Sequence, residues 1–182
     1  EIGHKAAESD RERIADVIKG ADMVFLTVGL GGGTGTGASP VKAAEAAKAN
    51  ALTVAIVTLP FSFEGPERMK NALKGLAELE QHVDTLIVVP NDRVAELSKQ
   101  DMGFLQAFQM ADEVLHNGVR AISELITVTG LINLDFADVR TIMQARGRAL
   151  MGIGIAEGPD RAKRAAEEAI ICPLLEQSNI NG

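Results

Sequence analysis

The sequence predicts an α/β protein with a doubly wound parallel sheet, and three observations support this prediction. Short apolar segments alternate with helical segments along the first 90 residues. The apolar segments are continuous, which is typical of parallel strands covered by helices on both faces. A glycine-rich segment, VGLGGGTGTGASP at 28–40, lies where the first of these strands gives way to a helix. Strands and helices therefore alternate along the sequence, as they do in proteins with parallel sheets.

The first half of the chain supplies the strands of this sheet. Residues 1–19 have the apolar spacing of an amphipathic helix, which Gly20 ends. The apolar segments that follow are too short for buried helices and are rich in β-branched residues. They predict strands at 23–28, 52–58 and 84–90.

Helices are predicted between and after these strands. The first begins at Pro40, a residue suited to the first helical position, with Ser39 as its N-cap, and it ends at Asn50. The longest spans 104–127 and has the apolar stripe of a helix that crosses the body of a domain. The other predicted elements are helices at 66–82, 135–146 and 159–171 and an apolar strand at 149–156.

Composition excludes several classes of function. The formal charge of −7 leaves no broad basic surface for nucleic acid or anionic lipid. No apolar run approaches the roughly 18 residues of a membrane span, and the single Cys172 forms no internal disulfide. His4, His82 and His116 lack the spacing of metal ligands, so no metal site made of side chains is expected. These features predict a cytoplasmic protein without direct membrane insertion.

The segment between the first strand and the next helix is the strongest candidate binding site. Glycine lacks a Cβ, so backbone N–H groups there can approach a phosphate closely beside the positive end of a helix dipole. Ordering so many glycines without a ligand would cost considerable entropy, which disfavours a plain flexible turn. We call this segment the glycine loop; it comprises Gly31, Gly32, Gly33, Thr34, Gly35, Thr36 and Gly37.

Two common phosphate-binding motifs fit the glycine loop poorly. A P-loop ends in Gly-Lys-Ser/Thr, but Gly37 is followed by Ala38 and Ser39, so no lysine reaches the terminal phosphates. A dinucleotide fold places an acidic residue at the end of the next strand, and the first acid after that strand is Glu64. The nicotinamide-binding interpretation therefore stays open only as an alternative.

Five separated motifs carry a resemblance to a known family. Together, these motifs resemble those of the bacterial FtsZ family of cell-division GTPases, in the tubulin superfamily. The resemblance extends through the whole chain, with the motifs in the same order. The motifs are GGGTGTG at 31–37, FEGPERM at 63–69, VVPNDR at 88–93, AFQMADEVL at 107–115 and NLDFADVRTIM at 133–143.

This resemblance implies a domain organisation. Residues 1–182 are expected to form a partial GTP-binding domain with a Rossmann-like parallel sheet and a long central helix at 104–127. The family's first strand, with its own glycine-rich phosphate loop, is expected before Glu1. The second, C-terminal domain is expected after the end of the chain.

The resemblance also implies how GTP or GDP is held, with Mg²⁺ accompanying the nucleotide. The glycine loop binds phosphate, Glu64 and Arg68 lie at the ribose and a nearby phosphate, and Asn91 contacts the nucleoside. Phe108 stacks on guanine, and Asp112, one helical turn later, accepts its paired N1–H and N2–H₂ donors. From the residues alone, Glu64 and Arg68 fit equally a helix-start acid and a surface base, and Asn91 fits simple turn chemistry. Without the family, a core ring and a solvated acid are the favoured interpretation of Phe108 and Asp112.

Catalysis is implied for three residues of one loop: Asn133, Asp135 and Asp138. In the family this loop enters the nucleotide pocket of the next subunit, where its acids position the attacking water. From the residues alone, Asp135 is equally a helix N-cap with Asp138 in the first turn, and both roles are compatible.

The expected function is therefore that of a GTP-hydrolysing, self-polymerising cytoskeletal protein of the bacterial septal ring. Its expected partners are further copies in a head-to-tail filament and the membrane-anchoring and regulatory proteins of division. Its expected location is the cytoplasm, at the midcell division ring. A nicotinamide-dependent oxidoreductase and a non-catalytic structural or interaction fragment are the alternatives.

Overall fold

The computed structural model describes residues 1–96, 103–128, 135–144, 147–150, 152 and 154–170. Within them, four strands form one sheet in the order β1-β2-β3-β4, and every neighbouring pair is parallel. The predicted parallel sheet is confirmed. The strands are β1 (Met23–Gly29), β2 (Leu52–Leu59), β3 (Thr85–Pro90) and β4 (Gly147–Ala149).

Helices connect and cover these strands. The long helix predicted at 104–127 is confirmed at both ends. In the described residues the helices are α1 (Ile2–Ser9), α2 (Arg11–Ile18), α3 (Thr34–Lys48), α4 (Pro66–Glu80), α5 (Asn91–Glu96), α6 (Phe104–Thr127), α7 (Phe136–Met143) and α8 (Arg161–Ile170), and Ser62–Glu64 forms one 3₁₀ turn. None of these helices has both the length and the apolar character needed to cross a membrane.

The core lies on both faces of β2. Val54 and Ile56 belong to a cluster with Val114 and Ile122 of α6. The alternate residues Ala55 and Val57 belong to a second cluster, which α4 helps to form. Because successive side chains of a strand point to opposite faces, a continuous apolar strand must be covered twice. That requirement explains why helices flank the sheet on both sides.

The helix predicted to begin at Pro40 in fact begins at Thr34, inside the glycine loop. Ser39 is therefore a buried interior residue and not an N-cap, and Pro40 lies within the helix. Pro40 has no N–H to donate to the carbonyl of Thr36, so the helix lacks one of its usual bonds. Packing of α3 against α1, α4 and the sheet outweighs this loss, and the preference of proline for the first turn misled the prediction.

Two further predicted boundaries are wrong. The helix predicted at 1–19 is divided at Asp10, whose φ of −101° and ψ of 15° separate α1 from α2. The Ser9 hydroxyl donates to the Lys5 carbonyl at 3.0 Å, a local bond of the kind that weakens helix interiors. The strand predicted at 149–156 is β4, which ends at Ala149 after three residues paired with β3. Beyond it, Gly154 lies so close to the α8 backbone at Ala165 that no side chain fits there.

A two-bond ion pair fixes β4 to the end of α4. The Arg148 guanidinium donates to both carboxylate oxygens of Glu80, at 2.9 and 3.0 Å. These hydrogen bonds, with the charge of the guanidinium, hold the pKa of the Glu80 carboxyl below its ordinary value. A carboxyl whose pKa is lowered by folding stabilises the folded state above its unfolded pKa, and this contribution is lost as the pH falls through the folded pKa.

We expect Arg148→Gln to lower the free energy of unfolding at pH 7 by up to about 1 kcal/mol, because the pair is partly exposed to solvent. The difference from wild type should disappear on acidification, once Glu80 is protonated in both proteins. Urea unfolding across the acid range measures this. Arg13→Gln is the control, since Arg13 forms a longer, exposed pair with Asp10 at 3.5 Å. A pH-independent loss in Arg148→Gln would contradict the role of the ion pair.

Candidate functional site

The glycine loop lines a cleft at the carboxyl edge of the sheet. The cleft has a volume of about 610 Å³, and Lys74 on α4 is among the residues that line it. It lies at the amino end of the 15-residue α3, where backbone N–H groups and the helix dipole favour an anion. Lys5 and Lys74 line the cleft together with Glu1 and Glu78, so the preference for an anion rests on the backbone N–H groups and the helix dipole, with Lys74 as a nearby charged donor.

The glycines of the loop have two different roles. A Cβ added at Gly32 or Gly33 would meet no atom within 4 Å, so the backbone there is open to a ligand. A Cβ at Gly35 would collide with the Val28 side chain, and one at Gly37 would lie 2.7 Å from the backbone nitrogen of His4. Gly35 and Gly37 therefore allow α3 to pack closely on β1 and α1. The sequence predicted phosphate contact for all of them because glycine composition does not separate the two roles.

The shape of the glycine loop is held from within. Gly31 has a φ of +107°, which favours glycine, and its N–H donates to the Thr36 hydroxyl at 2.8 Å. A Cβ at Gly31 would lie 2.7 Å from Pro60 and 3.0 Å from the backbone oxygen of Arg68. The loop after β1 therefore touches both the loop after β2 and the start of α4.

Lys74 was not singled out from the sequence, although a signal for it is present. Gly75 lies in the middle of α4, where glycine is normally unfavourable. A Cβ there would collide with the Thr36 side chain, so this glycine lets α4 approach α3. That approach brings Lys74 to the cleft. In the sequence, a glycine inside a predicted helix and next to a lysine indicates a close helix contact that could bring the lysine to a site.

Glu64 and Arg68 lie together next to the glycine loop. One Glu64 oxygen accepts the Phe61 N–H at 2.9 Å, and the other accepts from the Arg68 guanidinium. The Glu64 side chain is 10% exposed and that of Arg68 is 53% exposed. Glu64 therefore shapes the loop after β2, while Arg68 keeps much of its surface available.

Asn91 follows β3 at the same edge of the sheet. It is 5% exposed, and its side-chain oxygen is buried without a hydrogen-bond partner in the described part of the chain. The neighbouring Asp92 accepts the Ser62 N–H at 3.0 Å, which ties this loop to the one after β2. A buried, unpaired acceptor in such a place points to a missing partner.

Phe108 belongs to a cluster of four phenylalanines. Its ring is 40% exposed and makes edge contacts with Phe61 and Phe63 at centroid distances of 5.2 and 6.2 Å. Phe63 also stacks on Phe61 and meets Phe104, both at 4.8 Å. Asp112 lies one turn beyond Phe108 on the same helix and is exposed. The sequence indicated Phe108 and Asp112 but not the rings that support Phe108.

The two aspartates lie at the opposite edge of the sheet. Helix α7 is bound there by the Thr85 hydroxyl, which donates to the Met143 carbonyl at 2.7 Å. Thr85 begins β3, so α7 sits at the amino ends of the strands. A strand of eight residues such as β2 spans roughly 26 Å, so Asp135 and Asp138 are well removed from the glycine loop of their own subunit.

The helix-cap role of Asp135 is confirmed. Its carboxylate accepts the Ala137 N–H at 3.3 Å, and Asp138 lies in the first turn of α7. Both side chains belong to exposed residues, so capping leaves them accessible to another molecule. Asn133 lies outside the described residues. In the part of the chain that is described, no group of three or more His, Cys, Asp or Glu could hold a metal ion.

This arrangement defines an α/β domain with a glycine-lined cleft at the carboxyl edge of a parallel sheet. Two family models match the chain: the tubulin/FtsZ family GTPase domain at residues 1–99 and the FtsZ family C-terminal domain at 147–182. The chain belongs to the tubulin/FtsZ family. The second match begins within the chain, whereas the sequence predicted the second domain after it, and the extent of each domain stays a prediction.

Solved structures agree with this assignment. An empty FtsZ dimer from M. jannaschii matches with a TM-score of 0.93 and 52% identity, over 96% of this chain and 50% of that one. CetZ from Methanosaeta thermophila matches with a TM-score of 0.74 and 26% identity, over 92% and 48%. CetZ2 from Haloferax volcanii, at 23% identity and a TM-score of 0.72, covers 90% and 48% and shares the fold. The chain spans about half the length of each.

The two roles of the loop glycines can be tested by single substitutions. We expect Gly37→Ala to lower the free energy of unfolding by about 1–3 kcal/mol. The new Cβ would collide with backbone atoms of α1, which cannot move aside as a flexible side chain can. Gly32→Ala should change this free energy by less than about 0.5 kcal/mol, since the added Cβ faces open space. Denaturant unfolding of both variants measures this, and equal losses would contradict the division.

Proposed function

We propose that the protein binds GTP and GDP in the glycine-loop cleft and hydrolyses GTP with the acid loop of a neighbouring copy. The observation that carries this proposal is the placement of the cleft and of Asp135 and Asp138 at opposite edges of one sheet. A rigid sheet cannot bring its two edges together. Only a second subunit, stacked head to tail, can complete the site.

The phosphates would lie on the open backbone of Gly32 and Gly33, at the start of α3. Several N–H groups and the helix dipole supply the positive potential there, and Lys74 adds a charge at the side of the cleft. This arrangement replaces the lysine of a P-loop. Mg²⁺ would accompany the phosphates, where it adds positive charge, because the described residues offer no carboxylate cluster of their own.

The guanosine would lie along the line of loops that follow the strands. Phe108, supported edge-on by Phe61 and Phe63, offers a ring face for stacking, and Asp112 lies one turn away to accept guanine's two donors. Asn91 has a buried side-chain oxygen free to accept from the nucleoside. Arg68 is exposed enough to reach a phosphate, and Glu64 keeps unused lone pairs for a ribose hydroxyl.

We also infer that a strand outside residues 1–182 pairs with β1 and brings a further phosphate loop. Within the described sheet β1 has a neighbour on one side only, and its side chains are half-buried or exposed. An apolar groove of about 440 Å³ runs beside it, lined by Ile14, Val17, Val24 and Leu26 among others. Such a groove suits the side chains of one more buried strand.

Turnover would depend on the neighbour's acids. Two carboxylates at the start of α7 can orient a water and polarise it towards the terminal phosphate, and positioning of this kind carries much of phosphoryl transfer. Because the contact joins different surfaces of two copies, it does not close and produces a filament. The M. jannaschii relative has been solved as a dimer, which is consistent with contacts between copies.

In the cell we propose a cytoskeletal role in division, in the cytoplasm at a midcell septal ring, with membrane-anchoring and regulatory proteins as partners. The resemblance to bacterial FtsZ motifs supports this role, although the M. jannaschii structure that it matches is archaeal. Family membership leaves the nicotinamide-dependent alternative without support.

Guanine recognition by Asp112 can be tested in the complete protein. We expect Asp112→Asn to weaken GTP binding by about 1–3 kcal/mol, because an amide accepts at one atom and its NH₂ group opposes a donor. Glu113→Gln, on the next residue, which is also exposed, should leave affinity unchanged. Calorimetric titration with GTP measures both, and equal affinity of the Asp112 variant and wild type would contradict the assignment.

Catalysis by the acid loop can be separated from helix capping. Asp135→Asn retains a good N-cap, so we expect normal thermal stability with a turnover lowered roughly 100-fold or more. Asp138→Ala should leave GTP affinity within about twofold of wild type and remove most turnover, because the acid is not part of its own pocket. Melting temperature, GTP titration and phosphate release measure these effects. Activity that falls only in proportion to folding would favour a cap alone.

Sharing between subunits is tested by mixing two inactive variants. Gly32→Asp adds a negative charge to the glycine loop at a position where the new Cβ meets no atom within 4 Å, and it should repel phosphate. Asp138→Ala subunits mixed with Gly32→Asp subunits form some junctions in which an intact pocket meets an intact acid loop. Phosphate release should therefore reappear, with sedimentation confirming that the mixture assembles. Co-assembly without activity would contradict a shared site.

A further inference from the structure

We propose that Arg140 is a positioning residue that sets the placement of the acid helix α7 relative to α3. The proposal rests on the proposed function, because Asp138 must have a catalytic role for its placement to affect turnover. It adds a residue that contacts neither the nucleotide nor the reacting water. Its effect would pass through Asp135 and Asp138.

The contact itself is direct. The Arg140 guanidinium donates to the backbone carbonyl of Asn50 at 2.6 Å, a bond between residues 90 positions apart in sequence. Its central carbon lies 6.0 Å from the centroid of the Phe136 ring, one turn earlier on α7. Arg140 is half-buried, and it forms no ion pair within the described ranges. A charged donor on a short hydrogen bond is among the stronger polar contacts.

The acceptor is held firmly. Asn50 has a φ of +58°, the left-handed conformation that commonly ends a helix, and its N–H donates to the Ala47 carbonyl at 3.0 Å. The next N–H, of Ala51, donates to the Ala46 carbonyl at 3.2 Å. The carbonyl that Arg140 binds is thereby fixed between the end of α3 and the start of β2.

The position of α7 depends on directional hydrogen bonds of this kind, because its other contacts are apolar. Phe136 and Met143 pack against the core cluster that β2, β3 and α6 form, and Val139 is the buried residue of α7, which together select the buried face of the helix. Apolar contact is non-directional and does not by itself stop sliding or rotation. The Thr85 hydroxyl holds the carboxyl end of α7, and Arg140 holds the middle, two residues after Asp138.

Space is available for α7 to shift if Arg140 is removed. A polar cavity of about 340 Å³ lies beside the Arg140–Asn50 contact, between α7 and the turns that precede β2 and β3. Its lining includes Gln81, His82 and Gln144. Without the arginine, the helix would have this space into which to shift.

The link also joins the two functional edges of one subunit. Helix α3 has 15 residues, so it spans about 22 Å, from Thr34 at the cleft to Lys48 at the amino edge. Arg140 ties α7 to the turn directly after this helix. The acids presented to a neighbour are therefore placed with reference to the subunit's own glycine loop.

The first test is steady-state kinetics on the complete protein. We expect Arg140→Ala to lower kcat at least tenfold while KM and GTP affinity stay within about twofold of wild type, and Arg140→Lys to restore part of kcat by keeping a charged donor. Arg120→Ala is the matched control, because Arg120 pairs with Glu124 within α6. An unchanged kcat in Arg140→Ala, or a parallel loss of kcat, GTP affinity and melting temperature in both Arg140 variants, would overturn the proposal.

The second test shows whether the Arg140→Ala defect lies in the acid loop or in the nucleotide pocket. Arg140→Ala should regain activity when mixed with Gly32→Asp, which contributes an intact acid loop, and should gain nothing from Asp138→Ala, which lacks one. The opposite pattern would overturn the positioning role. The failures are distinguishable: full turnover in Asp138→Ala refutes the shared site itself, whereas loss in Asp138→Ala with full turnover in Arg140→Ala refutes this inference alone.

Discussion

Burial of β2 on both faces is the constraint on which the rest of the structure depends. Its residues 52–57 are almost without solvent exposure, and alternate side chains enter two separate apolar clusters. Helices must therefore cover both sides, and parallel strands then require crossover connections. In the described residues, these connections place the strand-to-helix loops at one edge and the helix-to-strand turns at the other. The separation of the cleft from the acid helix follows from this topology.

Close backbone packing around α3 is the second determinant of the site. Gly3 and Gly37 let α1 approach this helix, Gly75 lets α4 approach it, and Gly35 lets it approach β1. With these three neighbours in contact, the open part of the glycine loop is reduced to Gly32, Gly33 and the helix start. The shape of the cleft therefore depends on close packing around α3 as well as on the open glycines of the loop. In the proposed function, the ligand would approach the glycines that packing leaves free, Gly32 and Gly33.

The paired roles of several polar residues follow the same logic. Glu64 shapes the loop after β2 and also pairs with Arg68, while Asp135 caps α7 and still faces solvent. A structural bond and a functional contact are compatible when one carboxylate has several lone pairs. Structural and functional interpretations of such residues are thus complementary, and variants that keep the cap or the charge separate them.

The sequence by itself determined the parallel α/β class, the three longer strands, the central helix and the motifs that mark the family. These features depend on local apolar patterns and short motifs, which can be recognised without knowing the contacts between distant residues. Only the tertiary structure decided that α3 begins at Thr34, which glycines pack and which stay open, and that α7 is bound to Asn50. Each of these depends on contacts between residues far apart in the chain, and such contacts leave no periodic signal in the sequence.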